Sequence, residues 1–208
     1  MSKRSSVAVI DYGAGNLRSV QTALKFIGAE FSIASNGEEI KSASRLIFPG
    51  VGDACAALSI LRERGLVQSL IEYYRSGRPF LGICLGCQII FDYSEEGQTR
   101  GLGLIPGVVR RFPGEEGLKV PHMGWNRVDY PEAAHPLLRG IAGGSFFYFV
   151  HSYYPVPQDK SVIIAETEYG LKFSSGVAAG NLAAFQFHPE KSGESGLKLL
   201  ANFIAWKP

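Results

Sequence analysis

A cysteine flanked by two glycines, at the join between an apolar run and a helical pattern, constrains this chain more than any other feature. The segment reads Pro79-Phe80-Leu81-Gly82-Ile83-Cys84-Leu85-Gly86. Residues 79–84 predict a buried strand, and residues 85–91 the start of a helix. A turn this sharp strains its central residue, and side chains two positions to either side would collide. Glycine at 82 and 86 removes the collision. This is the nucleophile-elbow pattern, with cysteine in place of serine. It lifts the thiol into the crevice beyond the strand ends, where open α/β sheets bind ligands. The following helix adds unpaired N–H groups and partial positive charge, which favour the thiolate. The Leu85 N–H is placed to bind an oxyanion.

The rest of the first half fits such a sheet. Residues 6–10, 31–34 and 46–48 predict strands. Leu17, Val20, Leu24 and Ile27 recur at helical spacing before Gly28, a second helix falls near residues 38–42, and Leu66, Leu70 and Tyr73 mark another that stops near Gly77. Alternating strand and helix predict a mostly parallel sheet with helices on both faces. The second half changes character: residues 104–109, 126–129, 146–150, 162–167, 173–179 and 182–187 predict strands with little helix between them. They predict antiparallel strands added to the parallel core. A final amphipathic helix over 196–206 would present Leu197, Leu200 and Ile204 on one face.

The 208 residues predict a single domain over 1–208. Hydrophobic residues at 46% and charged residues at 19% suit a globular enzyme and exclude a disordered chain. The 21 basic and 19 acidic residues are dispersed, with no basic run to suggest nucleic acid and no charged tail for a membrane surface. The first apolar stretch, Val7-Ala8-Val9-Ile10, is far shorter than the roughly 7–15 residues of a secretory signal or the roughly 20 of a membrane span. A cytoplasmic location is expected. Three cysteines, Cys55, Cys84 and Cys87, argue against a disulfide framework as the organising device. Cys87, one turn into the helix, is expected to pack as a small hydrophobe rather than form a redox pair with Cys84.

A thiolate that attacks an amide needs an acid for the departing amine, and histidine is the usual one. His135, in a turn-like Ala-Ala-His-Pro context, is expected at the surface. His188 follows a strand in Gln186-Phe187-His188-Pro189-Glu190. Pro189 forces an extended backbone on it, and residues two apart in extended chain face the same side. His188 and Glu190 can thus present imidazole and carboxylate together, completing a triad with Cys84. Pro49-Gly50-Val51-Gly52 ends a core strand at the same sheet edge. It reads either as the second half of an oxyanion hole, through Val51 and Gly52, or as an ordinary strand-to-helix turn. Gln88 could hydrogen-bond an amide-bearing substrate. Glu96 could pair with a substrate ammonium or lie on a solvated face.

Together these residues resemble the class I, triad-type glutamine amidotransferases. The segments at 11–20, 49–52, 121–126, 147–153 and 186–192 are similar to those of the glutaminase subunits of imidazole glycerol phosphate synthase. The resemblance implies a flavodoxin-like α/β fold, glutamine as substrate, and no metal or cofactor. It implies a (β/α)₈-barrel cyclase partner in a heterodimer, fed with ammonia through a tunnel in histidine biosynthesis. It further implies that Gly50, Gln88, Glu96, Ser152 and Tyr153 contact glutamine. His122, Met123, Trp125, Asn126, Tyr148 and Lys191 would lie towards the cyclase, although core packing is the alternative for Met123, Trp125 and Tyr148. Position 87 departs from the family's usual Met. The rival readings are a glutaminase serving another synthase, such as pyridoxal phosphate synthase, and a catalytically silent module of the same fold.

Overall fold

The computed structural model describes residues 7–13, 16–114, 118–131 and 135–208. Expectations for residues 1–4, for Ser6 and for the Ala14-Gly15 part of the first loop lie outside the described residues. The first half runs β1 (Val7–Ile10), α1 (Leu17–Phe26), β2 (Phe31–Ala34), α2 (Gly37–Ser42), β3 (Arg45–Gly50), α3 (Ala54–Glu63), α4 (Leu66–Arg75), β4 (Phe80–Cys84) and α5 (Leu85–Gln88). Then come β5 (Phe91–Ser94), β6 (Thr99–Arg100), β7 (Ile105–Arg111), β8 (His122–Arg127), β9 (Phe146–His151), β10 (Tyr153–Pro157), β11 (Ile163–Tyr169), β12 (Leu171–Ala179), β13 (Leu182–Phe185) and α6 (Gly193–Ala205).

Seven strands form the central sheet in the order β11-β12-β13-β4-β3-β1-β2. The five from β13 to β2 run parallel, and β12 is antiparallel to both its neighbours. The continuous apolar strands follow from burial on both faces. Ala8 and Ile10 of β1 enter one core cluster, Val7 and Val9 the other. The expected addition of antiparallel strands holds for β11 and β12. Other strands of the second half build separate sheets, β10-β7-β5-β6 and the β8-β9 ribbon.

Several local readings need correction. The helix after Cys84 is a single turn, not one that continues to residue 91. The Ile89 and Ile90 carbonyls instead accept from Leu102, Leu104 and Ile105, which redirects the chain into β5. Helix α3 carries no expectation above, yet Asp53 caps it, its side chain accepting from Ala56 N at 2.7 Å. The buried stripe of α6 is Gly196, Leu199, Leu200 and Phe203, with Leu197 and Ile204 only partly buried on its flanks. His135 is also not a free surface residue: its ring accepts from Leu137 N at 3.2 Å and meets the Trp206 ring edge-on at 5.0 Å.

The strand order positions the chemistry. β3, β4 and β13 are neighbours, and all three run the same way. Their ends therefore deliver the residue 49–52 turn, Cys84 and the His188 segment to one edge of the sheet, as ligand sites in open α/β sheets require.

Candidate active site

Cys84 sits at φ 51°, ψ −103°, outside the regions a side-chain-bearing residue prefers. Such strain costs on the order of 1–3 kcal/mol and persists only where packing enforces it. The enforcing contacts are visible around the glycines. A Cβ on Gly82 would lie 2.6 Å from the Gly86 carbonyl oxygen, and one on Gly86 would strike the carbonyl oxygen of Phe48. Gly50 pairs with Cys84 across the β3–β4 ladder, and its own Cβ would lie 2.6 Å from Cβ of Leu85. The Phe48 ring beneath the elbow is itself stacked on Tyr12, with centroids 5.2 Å apart.

The Cys84 thiol is buried except for a narrow access. Its Sγ lies 3.8 Å from the Val150 carbonyl oxygen and accepts from Gln186 Nε2 at 3.7 Å. A cavity of about 260 Å³ opens beside it. Its lining includes Val51, Gly52, Leu85, Gln88, Glu96, Ser152 and Tyr153 from the expected set, joined by Pro121, Val150 and His151. Gly50 does not line it; its role is to let Leu85 come close. A larger cavity of about 490 Å³ lies beside the Asp129–Glu166 bridge, and no thiol or histidine lines it.

His188 is held from three sides. Its backbone N–H donates to the Tyr148 carbonyl at 2.9 Å, and its own carbonyl accepts from Ser192 Oγ at 2.6 Å. Its Nδ1 donates to Glu190 Oε1 at 2.8 Å, with both side chains almost wholly buried at 1% and 2% exposure. That bond leaves Nε2 for the sulfur. Cys84 acts on the ring's charge, yet Nε2 closes no hydrogen bond of good geometry. Catalytic hydrogen bonds are often slack before substrate arrives. Burial alone would disfavour the charged ring. Hydrogen bonding and attraction from Cys84 and Glu190 outweigh it and raise His188 to about 10. The direction of that shift favours the imidazolium, the form that can protonate a departing amine.

Ser192 and Gln186 are buried polar residues beside the triad positions that sequence reasoning passed over. Besides donating to His188, the Ser192 hydroxyl accepts from Tyr148 N at 3.0 Å. Ser192→Ala is expected to lower kcat for glutamine hydrolysis by up to about tenfold with little change in KM, and to cost about 1–2 kcal/mol of stability. Steady-state kinetics and urea unfolding check both. Gln186 is fully buried and bridges Gln88 to the Cys84 sulfur. Both lie in the residue 186–192 segment, but spacing alone did not reveal their partners.

Gln88 has spent its two N–H donors, on the Tyr153 carbonyl at 3.0 Å and Gln186 Oε1 at 3.1 Å. Its carbonyl oxygen is what remains for a ligand. Glu96 is half-buried and accepts from Ala54 N at 2.7 Å. Burial raises its pKa, the Ala54 N–H opposes, and Asp53 adds to the rise. A ligand cation would relieve that cost. Cys87 is fully buried, and burial, with Cys84 adding to it, pushes its thiol well above the ordinary range.

Strand alternation divides the residues expected to face a partner. Met123 and Trp125 of β8 project outward, 62% and 56% exposed, with Phe146 of β9 exposed nearby in the ribbon. Trp125 meets the Tyr148 ring edge-on at 6.2 Å, and Lys191 Nζ lies 5.8 Å from the same ring. His122 does not belong with them. Its ring is turned inward and only 3% exposed, with Asn126 on the same inner face.

Both inward histidines of the ribbon are neutral. Burial lowers His122 to about 4; burial, and His122 and His188 nearby, lower His151 to about 3 against the Tyr153 carbonyl's opposing pull. The unfolded chain, with histidine near 6.5, binds more protons between those values. Stability is therefore expected to fall by a few kcal/mol as pH drops from about 6.5 towards 4. Urea midpoints across that window check it.

The model of the family described as glutamine amidotransferase class-I matches residues 8–206. The chain belongs to that family. It is 50% identical to the imidazole glycerol phosphate synthase subunit HisH of Moorella thermoacetica, over 95% of this chain and 93% of that one. It is 46% identical to the HisH subunit of Aromatoleum aromaticum, over 98% and 100%. Solved amidotransferase folds align as well. PurLQS of Thermotoga maritima matches with a TM-score of 0.76 at 18% identity, over 97% of this chain and 98% of that one. A second solved structure, described as a glutamine amidotransferase, matches with a TM-score of 0.71 at 20% identity, over 96% and 97%. These low identities speak to the fold alone.

Proposed function

We propose that this class-I amidotransferase is the glutaminase subunit of an imidazole glycerol phosphate synthase, with Cys84, His188 and Glu190 as its catalytic residues. One observation carries the reading: an elbow thiol and a carboxylate-braced imidazole converge beside a cavity lined by the expected substrate residues. The 46–50% identity to HisH subunits over nearly the whole chain supports the choice of synthase.

The Cys84 sulfur attacks the side-chain carboxamide carbon of L-glutamine, and the carbonyl π pair moves onto oxygen. Backbone N–H groups at Leu85 and at Val51 or Gly52 receive the oxyanion. His188 gives its proton to the amide nitrogen, the C–N bond breaks, and ammonia leaves a γ-glutamyl thioester. Water then attacks, surrendering a proton to His188, and the C–S bond breaks to free glutamate and the thiolate. Glu190 keeps the ring oriented and stabilises its charge. Glu96 and the Gln88 carbonyl suit the substrate's α-ammonium, and Ser152 and Tyr153 form the facing wall. The scheme uses no metal or cofactor.

The ammonia goes to a (β/α)₈-barrel cyclase that makes imidazole glycerol phosphate and an aminoimidazole carboxamide ribotide in histidine biosynthesis. The lyase step belongs to that partner. Met123, Trp125, Tyr148 and Lys191 form the surface for it, since exposed aromatic and Met side chains are enriched at interfaces. Residues 1–208 act as one domain, a reading the family match over 8–206 supports. No helix among the described residues is long and apolar enough to cross a membrane.

The test is glutamate production with and without the barrel partner and its nucleotide substrate. Stimulation by both is expected. Glutamate release indifferent to the cyclase would point to a different synthase.

A further inference from the structure

The inner face of the ribbon β8–β9 is joined to the Cys84 cavity by an ordered line of hydrogen bonds. His151 Nδ1 lies 2.8 Å from the Tyr153 carbonyl, which can only accept, so Nδ1 carries the proton. His151 Nε2 is then the acceptor, and His122 Nδ1, 2.9 Å away, donates to it. His122 Nε2 in turn accepts from Asn126 Nδ2 at 3.2 Å. Every tautomer is thereby fixed, and every bond points from β8 towards the cavity. At the inner end the Tyr153 carbonyl also accepts from Gln88, which reaches Gln186 and through it the Cys84 sulfur.

The surroundings keep the pair rigid and uncharged. The His122 ring lies between Phe149, stacked at 4.7 Å, and Tyr169, stacked at 4.0 Å. Phe112 and Phe173 close around both imidazoles. The titratable groups facing the pair are His188 and Cys84 on the cavity side and Tyr169 on the other; Glu168 contributes only its carbonyl, to Asn126. Among the described residues no carboxylate bonds to either ring.

We propose that His122 and His151 are positioning residues for glutamine: as a neutral, directional pair they hold the Tyr153 carbonyl and Gln88 in register, and tie that wall to strand β8. Neither ring takes part in the bond-breaking steps. The inference rests on the glutaminase reading of Cys84, and it gives the inward turn of His122 a purpose. A ligand or partner that shifts β8 by its Met123 and Trp125 face shifts the donor to His151, and with it the cavity wall.

Three forms, each with the cyclase and nucleotide present, test this: the parent chain, His122→Phe and His122→Gln. Phenylalanine keeps the stack between Phe149 and Tyr169 but removes the donor; glutamine restores an N–H. His122→Phe is expected to raise the KM for glutamine about tenfold, with kcat within about threefold, as suits one lost orienting bond. His122→Gln is expected to recover most of the loss. Unchanged KM in His122→Phe, or His122→Gln no better than His122→Phe, overturns the proposal. Glutamine hydrolysis by the parent chain reports separately on the glutaminase reading. Should His122→Phe fail to fold, side-chain ¹⁵N spectra of folded Cys84→Ser decide. Both rings should appear as neutral Nδ1–H tautomers and shift when glutamine binds; other tautomers, or signals blind to glutamine, overturn the proposal.

Discussion

Replacing Cys84 with serine is expected to lower glutamine hydrolysis by about 10⁴-fold or more, because an alcohol at this site is neither ionised nor comparably nucleophilic. The fold should survive, since Sγ makes only long contacts, at 3.7 and 3.8 Å. Cys87→Ser is the matched control. Cys87 is fully buried one turn away and faces the hydrophobic core. Its hydroxyl would lack a partner and cost about 1–3 kcal/mol of stability, while turnover should stay within about twofold. Ammonia release by both variants, with thermal unfolding alongside, separates a nucleophile from a structural thiol. Equal loss in both would revive a paired-thiol role.

Glu190→Gln should have the second largest effect. The substitution keeps the shape and an acceptor for Nδ1 but removes the charge beside a ring that is almost wholly buried. Burial works against the imidazolium, and Glu190 is one of the two groups that hold it up at about 10. kcat/KM is expected to fall by about 10²- to 10⁴-fold, the range for losing a triad's orienting carboxylate. The sign of the pH effect follows. His188 is competent as an acid while protonated, so parent activity should decline only as pH approaches about 10. Without the carboxylate that alkaline limb should move to lower pH. A pH profile of kcat/KM for both forms checks the direction.

The elbow and the His188–Glu190 pairing were legible in sequence because each depends on local rules. Glycine at 82 and 86 is dictated by collisions within five residues and with the adjoining strand; Pro189 leaves His188 extended, as expected, but Glu190 reaches its ring from a short 3-10 turn (Pro189–Lys191) rather than along extended chain. The parallel core was legible because strands buried on both faces become short apolar runs. What escaped depends on distant partners. Nothing near residues 89–90 signals that a loop at 102–105 will take their carbonyls and end the helix after one turn. Gln186 and Ser192 acquire roles only when β13 lies beside β4 and β9 passes over His188. The family resemblance places His122 with Met123 and Trp125, because it speaks for the whole 121–126 segment and not for the face each side chain takes. A strand boundary four residues earlier than expected, with its period of two, would have divided them.

For this chemistry Cys84 must be the one thiol poised to attack a glutamine carboxamide. Peptide mapping after treatment with a glutamine-mimicking electrophile, such as a chloroketone analogue, tests it directly. A single adduct on Cys84 is expected, slowed by excess glutamine and absent from Cys84→Ser. Adducts on Cys55 or Cys87 with Cys84 untouched, or full glutamine hydrolysis by Cys84→Ser, would contradict it.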